Sequence, residues 1–186
     1  MRPRLDTAVL LLERPEDRPG GSVLFLVHRA ADGWLALDLA GPVTDRFAPP
    51  RGSDRPSLEV VRGGGSFPGR VLALYALPAD PESFGGLRVP GPGGARFGLG
   101  GDVERLLEAA LGSPMSGRGG PPRIRFFRGL TSLATRSRAP PAGAIVLRAT
   151  PELVFEARPG GIGAAELART SFAGAANEQI GQRAKS

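Results

Sequence analysis

The chain of 186 residues contains no cysteine, which excludes disulfides, zinc–thiolate sites and cysteine nucleophiles and suits a reducing compartment. It contains one histidine, His28. Any Ser-His-Asp arrangement would have to use that imidazole, with Asp32 or Asp38 to orient it. One imidazole, no thiols and scattered carboxylates leave no pattern of metal ligands, and no cofactor is expected. Lysine is nearly missing too: Lys185 is the sole example, as Asn177 is of asparagine and Tyr75 of tyrosine. Residues with AT-rich codons are scarce while Gly, Ala, Pro and Arg abound, which points to a GC-rich coding sequence. That bias accounts for arginine in place of lysine, but not for a net charge of +6. Long apolar runs are also lacking. The run Ala8–Leu12 stops at Glu13, too short for a signal peptide, and nothing approaches the roughly 20 residues of a membrane helix. A cytoplasmic protein is expected.

What the chain does have is glycine (28) and proline (19), which predict short elements joined by irregular connections. One domain is expected over residues 1–173, with a polar, flexible tail over 174–186. Apolar runs bounded by Gly, Pro or Asp predict strands at 7–13, 22–28, 34–39, 58–62, 70–77, 123–127 and 144–148. Asp32-Gly33 reads as the turn of an antiparallel hairpin, with Trp34 packing at the start of the returning strand. Asp102 is a natural cap for a helix whose Val103, Leu106, Leu107, Ala110 and Leu111 fall on one face, read as packing on the sheet rather than as a partner-binding stripe. Shorter helices are predicted over 130–138 and 163–172, and loops over 45–56 and 78–94.

Several motifs, in order, resemble the YqgE/AlgH family. They are Val9-Leu-Leu-Leu-Glu-Arg-Pro15, then Val23-Leu-Phe-Leu-Val-His28, then Asp32-Gly33 with Ala36-Leu-Asp-Leu-Ala-Gly-Pro42. Val61-Arg-Gly-Gly-Gly65, the glycine of Gly129-Leu-Thr-Ser-Leu133, and Ala144-Ile-Val-Leu-Arg-Ala-Thr-Pro-Glu-Leu-Val-Phe155 complete the series. The apolar frame is present, while several polar positions differ. Val27 stands in place of the family's glutamate, Ala40 and Gly41 in place of Asn-Arg, Gly65 in place of proline and Leu133 in place of tryptophan. The resemblance implies an α+β fold: a bent antiparallel sheet forming a pseudo-barrel, with a few helices packed outside. It also implies a regulatory role. His28, Gly63 and Gly64 are what remains of the family signature and are read as structural.

The segment Ala109–Pro151 holds no Asp or Glu but seven arginines, while the rest of the chain is close to neutral. Strand alternation in Arg123-Ile-Arg-Phe126 puts Arg123 and Arg125 on one face, with Ile124 and Phe126 on the other. Arg128, Arg136 and Arg138 lie close by in sequence. Two readings stay open: a solvated arginine surface, or a common basic face suited to phosphates or an acidic protein. The glycine runs at 63–65 and 98–101 are read as turns, since neither has the lysine and spacing of a P-loop. The leading expectation is a non-enzymatic regulatory or interaction protein that contacts an acidic protein or anionic ligand through Arg123, Arg125, Arg128, Arg136 and Arg138. Sequence-nonspecific nucleic-acid binding is the alternative, with Phe127 as the candidate stacking aromatic. A hydrolase-like enzyme with His28 as general base is the other.

Overall fold

Short apolar runs rich in Val, Leu and Phe build a sheet from most of the described residues. The computed structural model describes residues 9–12, 22–30, 33–49, 51–52, 57–76, 84–90, 96–111, 123–134, 145–149 and 151–156. Within them the strands are β1 (Val9–Leu12), β2 (Val23–Ala30), β3 (Gly33–Asp38), β4 (Val43–Phe47), β5 (Leu58–Arg62), β6 (Ser66–Ala76), β7 (Leu87–Pro90), β8 (Arg96–Leu99), β9 (Arg123–Ala134) and β10 (Ile145–Arg148). The helices are α1 (Val103–Leu111) and α2 (Pro151–Glu156).

The main path of the sheet runs β10-β1-β2-β3-β9-β6-β8-β7, with β5 joining β9 and β4 joining β5. The sheet curls into a half-barrel, and the fold is a mostly-sheet α+β. β9 is its hub. It pairs antiparallel with β6 along its first half, antiparallel with β3 through Thr131–Ala134, and parallel with β5 at Phe126–Arg128. That parallel pair departs from the all-antiparallel expectation.

Alternation along β9 sends side chains into two cores. Phe127 joins Phe25, Leu37, Leu39, Val61, Leu74 and Val154 on one face. Phe126 joins Val60, Ala73, Tyr75 and Leu106 on the other. Burial of each such side chain contributes roughly 1.5–3 kcal/mol. The two helices therefore cover opposite faces: α1 brings Leu106 to the Phe126 side, and α2 brings Val154 to the Phe127 side. They do not both lie on one outer layer, because the Phe127 face of the half-barrel also needs a cover.

α1 forms where its pattern places it. The Asp102 Oδ1 accepts the Glu104 and Arg105 amides at 3.1 and 3.2 Å, satisfying two N–H groups that the first turn leaves over. Asp102→Ala should lower stability by about 1 kcal/mol, read as a shift of the urea midpoint with unchanged slope.

Three expectations change. Residues 130–134 continue β9 rather than opening a helix, because the edge of β3 offers Leu133 and Ala134 partners in Trp34 and Gly33. The segments expected as loops include the end of β4 and all of β7, short strands held by pairing with β5 and β8. Phe127 is fully buried and offers no stacking surface. The predicted helix over 163–172 and the tail over 174–186 lie outside the described residues. No described helix is long and apolar enough to cross a membrane.

Candidate functional site

Of the five arginines that could share a face, the three that lie among the described residues do not share an exposed one. Arg123, at the start of β9, is exposed, and Arg136 and Arg138 lie outside the described residues. Arg125 points into the half-barrel. Its Nη1 donates to the Val154 carbonyl at 2.9 Å and its Nη2 to the Leu39 carbonyl at 2.7 Å. The guanidinium carbon lies 5.1 Å from the centroid of the Phe127 ring. Burial pulls its pKa down to about 10, against the opposing influence of Glu59 and Asp38, so it stays charged at neutral pH. Arg125 is thus a clamp between the end of β3 and α2, not a surface contact. Alternation places it on the Arg123 side as expected, but α2 covers that side.

Arg128 projects from the other face of β9. Its Nη2 meets the Asp45 Oδ2 at 3.0 Å, with 37% of the Arg128 side chain and 56% of the Asp45 side chain exposed. Across the parallel pair, Arg128 stands in register with Arg62 of β5. Arg62 is exposed and forms no ion pair among the described residues.

Beside them three segments distant in sequence cross at close range. The Gly63 amide donates to the Arg128 carbonyl at 2.9 Å. The Gly63 carbonyl accepts the Asp38 amide at 3.0 Å and the Thr131 hydroxyl at 3.1 Å. Gly63 is therefore tied into the sheet at both backbone groups, and its N–H is not available to cradle a phosphate. A Cβ at Gly64 would overlap the Leu130 carbonyl group and the Thr131 nitrogen. Gly129, at φ +75°, would place a Cβ 2.6 Å from the Gly64 carbonyl oxygen. The glycines noted separately at 63–64 and 129 thus form one backbone-on-backbone crossing, a steric device rather than a ligand loop.

Immediately after the crossing, β6 bulges. Ser66 pairs with Leu130 and Val71 with Arg128, so the four residues Phe67-Pro-Gly-Arg70 stand opposite Gly129 alone. Phe67 has φ +56° and is 60% exposed. Phe67 and Arg70 were not among the residues singled out from sequence. The Pro68-Gly69 pair inside an apolar run is the signal that could have marked the break.

His28 sits near the end of β2, opposite Leu35, with an exposed side chain. Among the described residues it makes no hydrogen bond to a carboxylate, serine or threonine. No group of three or more potential metal ligands occurs among those residues.

No family model matches the chain, and no curated protein sequence does. Solved structures do. The solution structure of the AlgH protein from Pseudomonas aeruginosa, of family UPF0301, matches with a TM-score of 0.58 over 91% of each chain at 16% identity. The chain has the AlgH fold. An X-ray crystal structure of a Corynebacterium diphtheriae protein matches with a TM-score of 0.53 and 15% identity, covering 85% of this chain and 83% of that one. The AlgH likeness agrees with the resemblance drawn from the ordered sequence motifs. At these identities it is the backbone arrangement that is shared.

Proposed function

We propose that this AlgH-like chain is a non-enzymatic contact protein with a regulatory role, which binds an acidic protein segment at the Arg62–Arg128 rim. The observation that carries this reading is the register of those two arginines on neighbouring strands. Like charges placed opposite each other in a sheet are destabilising. Only one carboxylate, that of Asp45, bonds to the pair among the described residues. Such a placement is poor for folding and good for receiving a carboxylate, which a guanidinium binds bidentately. Arg123 adds positive charge at the far end of β9. The reading with His28 as general base draws no support from its surroundings, since its solvent-facing imidazole lacks an orienting partner among the described residues.

The test is anisotropy with a labelled oligo-glutamate peptide at low and physiological salt. Binding should weaken with salt, and Arg62→Ala should reduce affinity about twofold to fivefold, as loss of one exposed ion pair of up to about 1 kcal/mol does. A single-stranded oligothymidine of equal length should bind more weakly. Tighter binding of the oligothymidine with a steep salt slope would transfer the site to nucleic acid, and no peptide binding at low salt would remove the reading.

A further inference from the structure

We infer that the Phe67–Arg70 bulge is an aromatic anchor beside the arginine rim, and that the partner is an acidic segment carrying apolar side chains between its carboxylates. This rests on the proposed acidic partner and adds what else the partner must carry.

Phe67 is hard to explain by folding. A left-handed backbone conformation is a genuine outlier for a bulky side chain, and here it belongs to a phenylalanine that is 60% exposed. Glycine occupies the other positive-φ positions among the described residues, including Gly85, Gly100, Gly101 and Gly129. A glycine at 67 would relieve the strain and remove an apolar ring from water. The ring therefore contributes something other than stability, and backbone outliers of this kind gather at functional sites.

The surroundings specify the ligand. The bulge lies between the Ser66–Leu130 and Val71–Arg128 pairs, so it emerges beside Arg128, whose other neighbour is Arg62. Arg70 ends the bulge and is exposed, with no ion pair among the described residues. An exposed aromatic ring thus stands on the bulge next to Arg128, with a second cation, Arg70, at its end. Aromatic and arginine side chains together are the usual carriers of binding energy at protein contacts. Asp45 stands within the same patch and would repel a continuous polyanion, which favours a peptide whose charges are spaced.

The experiment compares two labelled peptides of equal length on the full chain, one of glutamate only and one alternating glutamate with leucine. The alternating peptide should bind about tenfold more tightly, and Phe67→Ala should abolish that gain while leaving the all-glutamate affinity within about twofold. Phe67→Gly should behave the same way, with a Tm no lower than that of the parent. Equal affinities for the two peptides, or a gain that survives both substitutions, would overturn the anchor while leaving the arginine rim in place. A Phe67→Gly protein that unfolds earlier than the parent would also overturn it, by showing that the ring serves the fold. Failure of both peptides to bind would remove anchor and rim together.

Discussion

Arg125→Met is expected to lower folding stability by about 3–5 kcal/mol. The guanidinium makes two charge-assisted hydrogen bonds, each contributing roughly 1.5–3 kcal/mol, and the substitution leaves two carbonyls without their donor. Those carbonyls belong to Leu39 at the end of β3 and Val154 in α2, so the loss is felt as detachment of α2 from the face it covers. Methionine fills much of the same volume, which keeps the comparison from being one of cavity size. Arg125→Lys should recover less than half the loss, because a single ammonium lacks the planar fork that reaches two acceptors at once. Urea denaturation of the three proteins at neutral pH gives the ranking. A methionine variant within about 1 kcal/mol of the parent would show that the clamp is dispensable, since ordinary surface changes fall near that range.

Gly64→Ala is expected to cost about 3 kcal/mol or more, at the upper end of what an added methyl does in a packed site. The new Cβ would overlap the backbone of Leu130 and Thr131, and backbone cannot rotate aside as a side chain can. Gly65→Ala is the matched control. A Cβ there meets nothing within 4 Å, so its effect should stay within about 0.5 kcal/mol. Thermal denaturation of the two variants side by side separates a crowded crossing from a general intolerance of the glycine run. Equal stabilities would mean that the strands can part at this point without loss.

Local signals in the sequence carried a good part of the frame. The Asp102 cap and the apolar stripe behind it locate α1 because both act within a few residues of chain. The apolar runs at 22–28, 58–62 and 123–127 locate three strands for the same reason. β4 and β7 were not legible: short and of mixed polarity, they become strands only when β5 and β8 are alongside. The end of β9 was misread for a similar reason, since the choice between helix and strand at Leu130–Ala134 is made by the edge of β3 nearly a hundred residues earlier.

The site was less legible than the fold. Alternation correctly put Arg125 on the side of Arg123, but whether that side is wet depends on α2, which arrives from residues 151–156. The pairing of Arg62 with Arg128 depends on strand register between segments joined through the rest of the sheet, which no spacing rule reports. His28 stood out in sequence by being alone of its kind, and uniqueness of a residue type says nothing of its neighbours. Phe67 was hidden in a glycine-rich run that read as a turn, although the proline and glycine after it marked the bulge.

β9 has a consequence for synthesis on the ribosome. It joins β3, β5 and β6, all of which are translated earlier, so they remain without a shared centre until residue 134 has cleared the exit tunnel. A nascent chain in that interval displays the edges of β3, β5 and β6 with nothing to close them, which makes chaperone capture during translation the natural companion of this topology.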